Sequence, residues 1–73
     1  MPVTKQNLDS VFTYHPPKGD QPARYIAVRD AAKVFAGVIL DSVPQCADQQ
    51  AALRLLRECV MTANAAIALD GEV

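Results

Sequence analysis

The chain has no tryptophan, one histidine, three glycines and two cysteines among its 73 residues. Each shortage excludes something. Two cysteines cannot make the disulfide framework that stabilises small secreted domains. If one helix carries both Cys46 and Cys59, they lie about 20 Å apart along it, too far to bridge. They are read as reduced structural thiols in a cytosolic setting. With one histidine they also lack the spacing of metal ligands. There is no glycine-rich phosphate loop, no pair of catalytic carboxylates and no nucleophile motif. No enzymatic activity, cofactor or metal is therefore expected. No run of 18 apolar residues spans a membrane, and the polar first ten residues predict no secretory leader. Seven basic residues stand against eight acidic ones, which argues against DNA, whose binders present a strongly basic face.

What is present is helix-forming and apolar, with 51% hydrophobic residues. The length predicts a single domain over residues 1–73, with 1–7 as a mobile tail. A chain this short buries only about 60% of its unfolded surface. Without disulfides or metal, self-association is the remaining route to stability.

The pattern reads as all-α: a short N-terminal helix, a Pro-rich turn, then a long antiparallel helical hairpin. Thr4 can cap a turn or two in which Leu8, Val11 and Phe12 share a face. Pro16, Pro17 and Gly19 keep residues 13–19 extended or turned. Asp20 is a good N-cap for the first long helix, with Pro22 tolerated in its first turn. That helix should run to about Ser42, because Pro44 pushes Val43 out of helical geometry. The second begins near Cys46 to Asp48, with Gln49 where a capping-box side chain would sit. It ends before Gly71, read as the C′ residue. A connection of about four residues forces the helices to pack antiparallel.

Two stripes define the seam. Tyr25, Val28, Ala32, Phe35 and Ile39 follow 3-4-3-4 spacing, and so do Leu53, Leu56, Val60, Ala63 and Ile67. Apolar residues remain off both stripes: Ala31, Val34, Val38 and Leu40 on one helix, Ala52, Leu55, Cys59 and Ala66 on the other. A helix that is apolar around much of its circumference is buried on more than one side. A homo-oligomer follows.

The segment FTYHPPKGDQPARY, residues 12–25, holds three of the four aromatic residues, three of the five prolines and the histidine. Tyr14 can stack on a flat ligand or pack the N-terminal segment onto the hairpin. His15 has no partner in the pattern that would make it a catalytic base. Arg29 and Lys33, four apart on one ridge, can grip phosphates or form a solvated face. Arg54 and Arg57 read as surface charge, with Glu58 placed to pair with Arg54. Asn64, among alanines, is read as fixing register or a subunit contact, the alternative being ligand contact.

Taken together, FTYHPPKGDQPARY, AVRDAAK, the Pro-containing loop and VMTANAAIA resemble the hairpin domain shared by phage anti-CBASS and anti-Thoeris sponges. The resemblance spans roughly residues 8–69. It implies a homo-oligomer, typically a hexamer, that sequesters cyclic nucleotide messengers in the host bacterial cytoplasm without cleaving them. By similarity Tyr14 stacks on a base and Arg29 contacts phosphates, with Lys33 one turn further along. Phe12, His15 and Pro16 would shape the wall of a pocket formed between subunits. A cyclic dinucleotide such as 3′,3′-cyclic GMP-AMP is the expected ligand, with a cyclic trinucleotide as a second candidate. The rival readings are a sponge for cyclic ADP-ribose-type signals and an oligomeric protein-binding module. The family often carries Trp where this chain has Thr62, and Arg near Leu69. That Arg is associated with the trinucleotide site, and Leu69 and Asp70 offer no cation in its place.

Overall fold

The computed structural model describes residues 2–71. Among them the chain forms three helices and no strand: α1 (Leu8–Val11), α2 (Gln21–Ser42) and α3 (Ala47–Ala68). The two long helices have 22 residues each, about 33 Å of rise. They pack on each other, whereas α1 packs on neither.

The sequence accounts for both ends of α2. The turn Lys18–Gln21 closes through the Gln21 N–H donating to the Lys18 carbonyl at 3.1 Å. Gly19 supplies the φ of 60° that this turn needs at its first central position. Asp20 is the N-cap as expected, but its side chain makes no capping bond. It turns instead to Arg24 at 3.4 Å, an exposed pair of the kind that contributes little. At the other end Val43 is extended, at φ −104° and ψ 136°. The ring of Pro44 disfavours the helical alternative there.

α3 starts after an extended Cys46 and closes in a Schellman motif. The Gly71 N–H donates to the Ala66 carbonyl at 3.0 Å, and the Asp70 N–H donates to the Ile67 carbonyl at 3.2 Å. The C′ residue is therefore Asp70, at φ 52°, and Gly71 follows it at C″. This corrects the expectation for Gly71. Aspartate enters the left-handed region at some cost.

The seam is thin. Ile39 and Ile67 are the buried hydrophobic residues, with Leu53, Leu56, Val60 and Ala63 half-buried beside them. Tyr25, Val28 and Ala32 join from α2 as expected. Phe35 does not. It is 55% exposed, and Ala36 takes the inward position. The stripe steps from Ala32 to Ala36 to Ile39, so small residues line the middle of α2 and its aromatic faces out.

Two buried side chains are polar, and both are glutamines in first helical turns. Gln21 donates from Nε2 to the Ile67 carbonyl at 2.9 Å, 46 positions away. Gln49 donates from Nε2 to the Val43 carbonyl at 3.2 Å. Each amide thus ties the start of one long helix to the end of the other. Gln49 does sit at N3, but it serves the preceding helix's last carbonyl rather than its own cap.

The chain exposes 5638 Å². A folded monomer of its mass exposes roughly 4,400 Å². Its radius of gyration, 15.2 Å, exceeds the roughly 11 Å of a compact domain of this length. The surplus is apolar in good part: Ile26, Val34, Phe35, Val38 and Leu40 on α2, Leu55 and Met61 on α3 are all exposed. No described helix is long and apolar enough to cross a membrane.

Candidate functional site

Residues 2–15 fold upon themselves. The Asn7 side chain accepts from the Thr4 N–H at 2.7 Å and donates to the Pro2 carbonyl at 3.1 Å. Residues 2–7 are thereby gathered into a turn ahead of α1, which Asn7 rather than Thr4 precedes as the N-cap position. After α1, the Thr13 hydroxyl donates to the Asp9 carbonyl. The His15 ring is bonded through Nε2 to the Ser10 carbonyl. A carbonyl only accepts, so Nε2 carries the proton.

These bonds flank Tyr14. Its ring is 80% exposed, and Phe12 beside it is 77% exposed. Neither shields the hairpin. The reading of Tyr14 as packing for the N-terminal segment therefore finds no support in the single chain.

Two concavities among the described residues bear on these side chains. One, about 410 Å³, lies where the Pro-rich loop meets the end of α3. His15, Pro16, Lys18, Gln21, Arg24 and Leu69 are among its lining residues. The other, about 500 Å³, is an open apolar groove along the middle of the hairpin. Ala32, Leu53, Leu56 and Val60 form its floor, and Arg29, Lys33 and Arg57 contribute cations.

The expected site residues are thus divided within one chain. His15 and Pro16 share the loop cavity, Arg29 and Lys33 share the groove, and Phe12 and Tyr14 line neither. Arg29 is eight residues beyond Gln21, about 12 Å along the helix. Arg57 was read as surface charge. The hairpin's register brings it to the same groove as Arg29 and Lys33, which spacing within one helix cannot reveal. Among the described residues the ion pair formed is Arg24–Asp20, so these three cations stand without carboxylate partners. The expected Arg54–Glu58 pair is not among those formed.

The loop cavity takes in the Leu69 end of α3. Leu69 and Asp70 carry no positive charge, but Lys18 and Arg24 line the same cavity. Asn64 has a buried Oδ1 with no hydrogen-bond partner, an acceptor left over inside the single chain. Cys46 and Cys59 are free and both exposed in the single chain. No group of three or more His, Cys, Asp or Glu among the described residues could hold a metal ion.

No curated protein and no solved structure matches the chain. A family model does: the one described as Acb2/Tad1, hairpin domain, matches residues 4–68. That span takes in the self-folded N-terminal segment, the Pro-rich loop and both long helices, and the chain belongs to the Acb2/Tad1 hairpin-domain family.

Proposed function

We propose that the protein is a phage-encoded sponge for cyclic dinucleotide messengers, 3′,3′-cyclic GMP-AMP foremost. It would hold them uncleaved in the host bacterial cytoplasm and so keep CBASS effectors inactive. Family membership implies the anti-defence sponge role. The observation that carries the finer reading is Tyr14, a ring 80% exposed on a segment fixed by side-chain hydrogen bonds on either side. A held aromatic face with nothing covering it is a plate for a nucleobase.

Magnitudes say what else is needed. Stacking contributes about 1–3 kcal/mol per base, so two bases supply roughly 2–6 kcal/mol. Nanomolar capture needs about 12 kcal/mol after the cost of association. Contacts to both phosphates must supply much of the difference. The unpaired Arg29, Lys33 and Arg57 are the candidates, since hydrogen bonds to charged groups contribute about 1.5–3 kcal/mol each.

Tyr14 and these cations are apart in one chain. In this proposal the site closes between copies, with the loop of one subunit over the groove of another. The surplus of about 1,200 Å² of surface over a compact monomer supports self-association, and a hexamer follows the family's habit. Each two-fold pair of half-sites would match a ligand that itself has two bases and two phosphates.

Native mass spectrometry with a panel of cyclic dinucleotides, a cyclic trinucleotide and a cyclic ADP-ribose isomer tests subunit count and ligand choice together. Calorimetry with 3′,3′-cyclic GMP-AMP should show saturable binding that falls at least tenfold in Tyr14→Ala and in Arg29→Ala, with the oligomer intact. Recovery of altered ligand after denaturation would overturn capture without cleavage. Wild-type affinity in Tyr14→Ala would remove the stacking role.

A further inference from the structure

The N-terminal aromatic segment reaches the hairpin at the start of α2 and the end of α3. α1 packs on neither long helix. Bonds within the segment shape it: Asn7 to Pro2 and Thr4, Thr13 to Asp9, His15 to Ser10. Next come Pro16 and Pro17, which have fixed φ and no N–H. The first backbone donor after His15 is therefore the Lys18 N–H. That donor is taken by Gln21 Oε1 at 3.1 Å.

The same amide donates from Nε2 to the Ile67 carbonyl at 2.9 Å. Gln21 is 6% exposed, and its bond to the Ile67 carbonyl is buried. One side chain thus holds the end of the proline strut with its oxygen and the last turn of α3 with its nitrogen. Ile67 offers both lone pairs, one to Gln21 and one to the Asp70 N–H. The tie therefore also engages the C-terminal cap of α3.

We infer that Gln21 is a positioning residue for ligand capture: its amide sets the direction in which the Pro16–Pro17 strut carries Tyr14 away from the hairpin. Gln21 needs no contact with the ligand. The ligand part of this inference rests on the reading of Tyr14 proposed above, whereas the tie itself does not.

Two substitutions separate the roles of the amide. Gln21→Met keeps length and burial but removes donor and acceptor. Gln21→Glu keeps an acceptor for Lys18 and sets an oxygen against the Ile67 carbonyl. In the full-length chain, amide hydrogen exchange at Lys18 should quicken at least tenfold in Gln21→Met, with the helical circular dichroism retained. Affinity for 3′,3′-cyclic GMP-AMP should fall about tenfold in both variants. The positioning role is read from a double-mutant cycle: Gln21→Met combined with Tyr14→Ala should bind no worse than Tyr14→Ala alone, because a misdirected ring and an absent ring lose the same contact.

Unchanged exchange at Lys18 in Gln21→Met overturns the tie. Faster exchange with wild-type affinity, or losses that simply add, overturns positioning. Should Gln21→Met unfold, Gln21→Glu decides the matter, and wild-type affinity there counts against the inference. Failure of the wild-type chain to bind any cyclic nucleotide removes the ligand reading alone, and the exchange rate then still decides the tie.

Discussion

Phe35 offers a direct way to separate the seam from the outer face. The residue is 55% exposed in the single chain, with Ala36 turned inward in its place. Truncation of a core phenylalanine costs about 3–5 kcal/mol. A domain of 73 residues has roughly 4–11 kcal/mol of stability in all, so truncation at a seam position would remove a large part of it. On the outer face the reckoning differs. Full burial of such a ring stabilises by about 1.5–3 kcal/mol, and over half of it is still available to a neighbouring subunit. Phe35→Ala should then weaken association by about 1–1.5 kcal/mol per buried copy and change the dissociated chain by no more than about 0.5 kcal/mol. Thermal melts over a wide range of protein concentration, with sedimentation at the same concentrations, make the distinction. Wild-type melting temperature should rise with concentration, as mass action requires. The Phe35→Ala curve should meet it at high dilution and fall away from it at high concentration. A deficit of about 12 °C or more that persists at the lowest concentration would put Phe35 in the seam and refute the structural assignment.

Gln49 is 3% exposed and bonded to the Val43 carbonyl, so Gln49→Met should cost about 1–3 kcal/mol, read as a lower urea midpoint, while Arg54→Met, at an exposed position of the same helix, changes it little. Asp70 holds φ 52° at the end of α3, and Asp70→Gly should raise the melting temperature by a few degrees, about 0.5–1 kcal/mol. Arg57→Ala should weaken capture of 3′,3′-cyclic GMP-AMP about as much as Arg29→Ala in calorimetry at low salt, and both losses should shrink as ionic strength rises.

The long helices were legible because strong local signals bound them. Pro44 dictates the break after Ser42, and a four-residue connection leaves only an antiparallel return. The α3 stripe held: Leu53, Leu56, Val60 and Ala63 are half-buried and Ile67 is buried. On α2 the rule that favours large apolar residues chose Phe35 over Ala36. The helix drifts from a strict heptad, and two alanines permit the close approach that an aromatic would block.

The buried glutamines were illegible for another reason. Periodicity ranks residues by hydropathy, and an amide is buried at Gln21 and Gln49 only because a carbonyl some distance along the chain waits for it. The grouping of Arg57 with Arg29 and Lys33 likewise depends on how one helix is aligned against the other. Tyr14 and its neighbours stood out in the sequence as an aromatic cluster among prolines, yet their separation from the groove could not be read from spacing.

The paired amide ties at opposite ends of the hairpin have a consequence for how this chain can vary. Sliding α3 by one turn along α2, about 5.4 Å, would sever both at once, so these two residues guard alignment together with the seam. Substitutions between those guards, on the sides facing away from the partner helix, can accumulate one at a time without the helices losing their place. A lineage could therefore remodel its outward surface, and with it what it assembles with, while the underlying scaffold stays in step.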